Sequence, residues 1–256
     1  MAHKTMKSGT EYAITSGKTR VSGTEYTITS GKTRVSGTEY ALPFVHPNGI
    51  GDLPVGTSVT FQVNGEDRNF IIVHHGLPSD MYDASCDGVW VMAKNTMSNI
   101  QFYSNGKNTY AVSTLHNDLN STWIAKLDER VQNSILNVKI PYWDGDGVNG
   151  SLKTGANGLS TKVFAFSCME LGYGTADNRP NDGSPVQYFE NATDADRIAY
   201  TYGSSPSARS QWTRTPVLGV TNKSITVGQD GRVQTNSSNS MSFTRPVFIL
   251  PYDFEI

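Results

Sequence analysis

The chain has 256 residues and a mass of 27.9 kDa, enough for one large domain or a medium domain with appendages. Its 21 Lys and Arg stand against 23 Asp and Glu, and no basic run occurs, which argues against a nucleic-acid-binding face. Two cysteines exclude a disulfide-dense scaffold, and no apolar stretch reaches the length of a membrane span.

The first predicted element is a repeat. The fourteen residues SGTEYAITSGKTRV at 8–21 recur almost verbatim at 22–35, and a third copy opens at Ser36 and breaks off near Leu42. Within each copy the pattern alternates, as in a half-buried strand. Tyr12 and Ile14 share one face, as do Tyr26 with Ile28 and Tyr40 with Leu42, while Glu11, Glu25 and Glu39 take the other. Ser-Gly pairs punctuate the strings, so the segment reads as a meander of very short strands. Lys18, Arg20, Lys32 and Arg34 are placed to pair across strands with the glutamates. A stretch of this size buries too little to fold alone, so residues 1–44 are expected to be an anchor and oligomerisation segment held by other chains. No apolar run follows Met1, so synthesis is expected in the cytoplasm without a secretory signal.

Residues 45–54, VHPNGIGDLP, read as a linker because Gly and Pro cluster there. The body, 55–256, opens with two alternating runs around Asn64-Gly65, a strong hairpin signal. Val89–Ala93 reads as a more buried strand. Val112, Leu115, Leu119, Trp123, Leu127, Val131 and Ile135 fall at steps of three and four, which predicts helix over about 109–137 with a second N-terminus near Asn120-Ser121-Thr122. Lys162–Ser167 is a further strand, and the chain from there to about Ser210 is rich in loops. Ser224–Val227, a turn at Asp230-Gly231, and a final core strand over Val247–Leu250 complete the elements. The fold class is α+β.

Three C-terminal strings are distinctive: Trp212-Thr-Arg214-Thr-Pro216, Asp230-Gly-Arg-Val233, and Arg245-Pro246-Val-Phe248. With the helix pair and KVFAFS before them, they resemble a family of uncharacterised domains with a C-type-lectin-like fold. That family is common in prophage tail proteins and in surface proteins of Gram-positive gut bacteria. The resemblance covers about 55–253, and the fourteen-residue leader also resembles repeats that precede such domains in phage tail proteins. It implies a mixed, short-stranded sheet with two helices, in which Trp212, Arg214, Pro216, Arg245 and Pro246 are structural. It also implies a receptor-binding face between the tryptophan and the final strand. The matching positions are Thr221, Asn222, Lys223 and Ser224, with Asn236, Ser237, Ser238, Asn239 and Ser240. Short polar side chains suit adaptable hydrogen bonding to a surface ligand, although an ordinary solvated loop has the same composition.

The chain departs from true C-type lectins. The strings Glu-Pro-Asn, Gln-Pro-Asp and Trp-Asn-Asp of their calcium-dependent sugar site do not occur. Asp144, Asp146 and Asn149 offer oxygen ligands of the kind calcium takes, but the later EF-hand positions are missing and a Gly-rich turn is the plainer reading. No nucleophile motif such as G-x-S-x-G occurs, and Cys86 and Cys168 lie in apolar strings. The sequence therefore points to a non-enzymatic virion protein without a cofactor, a tail fibre or receptor-binding protein of a phage or phage-tail-like particle. Its repeats would join other virion or tail proteins, its lectin-like end would touch a glycan or protein on the bacterial surface, and the first oligomer to consider is a trimer. The alternative is a non-adhesive structural component of a baseplate or head. A glycan depolymerase is a third class, and it requires two carboxylates facing across a cleft.

Overall fold

The computed structural model describes residues 49–256 in full and, in the chain before them, the backbone of six four-residue strands. Two compact units result, Met1–Pro47 and Asn48–Ile256.

The first unit contains three antiparallel hairpins: Lys4–Lys7 with Thr10–Ala13, Lys18–Val21 with Thr24–Thr27, and Lys32–Val35 with Thr38–Ala41. Ser-Gly separates the two strands of each. The register sets Arg20 opposite Glu25 and Arg34 opposite Glu39. KTMKSGTEYA at 4–13 is thus a first copy of the hairpin unit. Reading the repeat from Ser8 conceals it, because Met6-Lys7 stand where later copies have Arg-Val. Tyr12, Tyr26 and Tyr40 lie on these strands; Ile14, Ile28 and Leu42 fall outside the described residues.

The second unit is α+β, mostly small antiparallel sheets with short helices. Its main sheet has five strands in the order Val163–Phe164, Val247–Leu250, Val89–Ala93, Glu66–His75, Ser58–Val63. The hairpin at Asn64-Gly65 is tight: both residues have positive φ, 54° and 74°, and Val63 pairs with Glu66. That is the geometry for which Asn-Gly is favoured. The sheet is buried on both faces, which is why its central strands read as continuous apolar runs. Phe70, Ile72, Val91, Phe248 and Leu250 enter one core, while Ile71, Val73, Trp90, Met92, Val247 and Ile249 enter another. The edge strand Ser58–Val63 alternates instead, burying Val59, Phe61 and Val63 alone.

The helical segment packs on the first core. Leu115, Leu119, Trp123, Leu127, Val131 and Ile135 are all buried, as the period-four pattern requires, whereas Val112 is 54% exposed. The second N-terminus is not at Asn120-Ser121-Thr122. Ser113 caps the first helix, Thr114–Asp118, by accepting from the His116 amide at 3.0 Å. A π-helical turn, Leu119–Trp123, and a 3-10 turn, Ile124–Lys126, continue the run. Asp128 then caps Glu129–Ser134, accepting from the Val131 amide at 3.0 Å. Asn120 is otherwise engaged: its Oδ1 accepts from the amides of Lys162 and Val163, and its Nδ2 donates to the Val163 carbonyl at 2.7 Å. It ties the helix to the main sheet's edge.

A second five-stranded sheet runs Asn99–Gln101, Met241–Phe243, Gln211–Pro216, Lys223–Val227, Val233–Ser237. The ladder of the strand from Lys162 shortens to Val163–Phe164. Residues 49–52, which their Gly content places in a linker, belong to the body: Ile50 is fully buried, and its amide donates to the Phe254 carbonyl at 2.8 Å.

Candidate functional site

The distinctive C-terminal residues serve the interior. Every residue of Gln211–Pro216 is buried. The Trp212 indole donates to the Ile100 carbonyl at 2.8 Å. Arg214 is sealed in the core, ion-paired with Glu170 through both terminal nitrogens, and it donates to the carbonyls of Pro141, Ala165 and Asp182. Burial works against its charge, but the Glu170 carboxylate more than offsets this and holds the guanidinium pKa above its ordinary value. Tyr82 donates to Glu170 at 2.7 Å. Asp182 accepts from the Thr215 hydroxyl at 3.0 Å, and burial pushes its pKa up to about 6 against the pull of Arg214. Arg245 donates to the Ala93 carbonyl at 3.0 Å, beside buried Pro246. Burial brings its pKa down to about 10. These charges have no solvent access and hold three loops to one strand.

The positions expected at a receptor face lie at one end of the second sheet, where four loops meet, three of them through one buried side chain. Asn108 is fully buried. Its Nδ2 donates to the carbonyls of Val217, Val220 and Lys223 at 3.2, 3.0 and 2.7 Å, and its Oδ1 accepts from the Gly147 amide at 3.0 Å. Residue 147 must be glycine: a Cβ there would sit 2.0 Å from the Val217 carbonyl oxygen. The Asn108 amide also donates to the Thr221 carbonyl, the Ser238 amide to Asn222, and the Tyr103 amide to Ser238. Loops 103–108, 145–150, 217–223 and 237–241 are thereby bonded to one another through backbone.

On that frame Thr221, Asn222, Lys223, Asn239 and Ser240 are exposed, and Asn236 and Ser237 are half-buried. Ser224 and Ser238 are the exceptions. Both are fully buried and their hydroxyls bond each other at 2.9 Å, so they lock the hairpin from beneath and are closed to a ligand. The strand pairing sets Ser224 opposite Asn236, and each occupies the inner side of its strand. The adjoining loops 103–108 and 145–150 also expose Asn105, Lys107 and Val148, which sequence reasoning missed. Asn105-Gly-Lys-Asn108 reads as an ordinary turn, and only its tertiary partners give Asn108 its role.

Asp144 and Asp146 hold their own loop. Asp144 accepts from the Ser151 amide at 2.7 Å and pairs with Lys153 at 3.1 Å; Asp146 accepts from the amides of Val148 and Asn149. These bonds hold both carboxyl pKa values below the usual range: the chief cause at Asp146 is the Asn149 amide, and at Asp144 the bonds outweigh partial burial. Among the described residues no group of three or more His, Cys, Asp or Glu gathers as a metal site. Cys86 and Cys168 are buried free thiols, each pushed up to about 12 by burial, so neither is a nucleophile near neutral pH. Among the described residues no helix is long and apolar enough to cross a membrane.

Residues 87–252 match a described family, the domain of unknown function DUF6273. The chain belongs to the DUF6273 family. The DUF6273 region holds the second sheet, the helices, the Arg214–Glu170 pair and all four converging loops. It begins after the Ser58–His75 hairpin, which supplies two of the five main-sheet strands. No curated protein and no solved structure matches the chain.

Proposed function

We propose that this DUF6273 chain is a receptor-binding protein, the tail fibre of a phage or phage-tail-like particle, with no catalytic step of its own. The observation that carries the reading is the loop face: Asn, Ser, Thr and Lys side chains displayed on four loops, three of them tied through a buried Asn108 and the fourth through backbone. Such a face has the composition of adaptable recognition surfaces, and its fixed frame lowers the ordering cost of binding. The lectin-like resemblance supports the same reading, because in that fold the segment corresponding to Thr221–Ser240 is displayed at one end. The three N-terminal hairpins would add strands to a symmetric assembly, with a trimer as the first expectation. The host surface would supply a glycan or protein ligand, and the virion would be the protein's working location.

The test is binding of the full-length chain to whole cells of candidate hosts, with and without a calcium chelator. Saturable binding to one strain is the expected result, and the chelator arm reports whether a cation bridges the contact. Absence of binding to strains that the intact particle infects would overturn the adhesin reading.

A further inference from the structure

A second place in the body is shaped for a ligand, away from the loop face and independent of the reading above. Between the Asn64-Gly65 hairpin, the end of the helical run and the Thr201–Ser207 loop lies an open cleft of about 390 Å³. A second recess of about 480 Å³ adjoins it and shares Thr201 and Tyr202 as its wall. Both fall within the range of small-ligand pockets.

Two features give the cleft a chemistry. The first is an aromatic platform. Tyr202 is 51% exposed, is held by its hydroxyl to the Asp67 carbonyl at 3.4 Å, and carries the Arg68 guanidinium 3.8 Å above its ring. The second is charge. The first recess is lined by Arg68 and Lys126 against Glu66, and the second by Lys94. Glu66 pairs with Arg68, while Lys126 has no ion-pair partner among the described residues. The Lys126 backbone is fixed by the Asn64 amide, which donates to its carbonyl at 2.7 Å. Thr96, Ser98 and Thr201 also line it, the Thr96 hydroxyl donating to the Tyr200 carbonyl and the Thr201 hydroxyl accepting from the Ser207 amide.

We propose that this cleft binds an acidic saccharide of one or two units, with a ring packed at Tyr202 and the acid group at Lys126. Donors and a surplus of cations select an oxygen-rich anion, and the aromatic wall selects a ring over a bare ion.

Titration calorimetry of the full-length chain tests this with digalacturonate, glucose 1-phosphate, a neutral disaccharide and inorganic phosphate. At least one acidic sugar is expected to bind about tenfold or more tightly than the neutral sugar or phosphate. The arm that binds identifies carboxylate or phosphate as the charge. Lys126→Met and Tyr202→Ala, both at accessible positions, are expected to weaken that binding about tenfold. Replacing Thr221, Asn222 and Lys223 with Ala should leave saccharide binding as it was. No heat with either acidic sugar, equal binding of inorganic phosphate, or affinities unmoved by Lys126→Met and Tyr202→Ala would overturn the proposal without touching the loop-face reading.

Discussion

Asn108 and Arg214 show how a single buried polar side chain decides the shape of a surface it does not reach. Replacing Asn108 with Ala strands the Val217 and Val220 carbonyls and the Gly147 amide, while the Lys223 carbonyl keeps the Val217 amide, at a cost of about 2–4 kcal/mol. Urea unfolding measures that cost, and cell binding is expected to fall as well, because loops 145–150 and 217–223 lose their shared tie to Asn108. Arg214→Met leaves Glu170 charged and unpaired in the core and is expected to destabilise by about 3–5 kcal/mol in the same assay. Asp182 gives a pH signature. Its folded pKa of about 6 lies above the ordinary aspartate value, so the fold prefers the protonated form. The stability it contributes is full below the ordinary value and is lost as pH rises through about 6. Between about pH 4 and 7, Asp182→Asn should therefore gain on the wild type by up to roughly 3 kcal/mol, read from denaturation midpoints at each pH. None of these roles was legible in the sequence. The Trp212-Thr-Arg214-Thr-Pro216 string marked the residues as structural, but Glu170, Asp182 and Asn108 are distant in sequence and meet only in the fold.

Elements governed by local rules were read well. Asn64-Gly65 between alternating runs gave the hairpin, and the step-of-four pattern from Leu115 to Ile135 gave the buried helical stripe. Gly65 adopts φ 74°, so Gly65→Ala should cost about 1–2 kcal/mol in thermal or urea unfolding, where an unstrained turn would show no change. The errors came where tertiary partners overrode local signals. Asn120 resembled a cap yet bonds the main-sheet edge, and the true caps are Ser113 and Asp128. Ser224 and Ser238 were grouped with exposed neighbours because polarity alone does not tell the inner side of a strand from the outer; their period-two position and mutual hydrogen bond do. The linker reading of 49–52 failed for a related reason, since Gly51, which allows a close approach to Tyr252, looks like a glycine of a boundary.

At the scale of the molecule, the division of labour proposed for this DUF6273 chain is an N-terminal set of three hairpins for assembly and a C-terminal body for recognition. Removing residues 1–47 is expected to leave a body that binds cells but no longer joins particles, measured by incorporation during assembly; a truncated chain that still incorporates would assign assembly to the body. The central claim is that the face built on Asn108 contacts the host. It is tested most directly by comparing cell binding of the full-length chain with that of a variant carrying Thr221→Ala, Asn222→Ala, Lys223→Ala and Asn239→Ala, all exposed positions. The account predicts an unchanged melting temperature and a loss of affinity of about tenfold or more. Equal binding by the two proteins, with both folded, would contradict it.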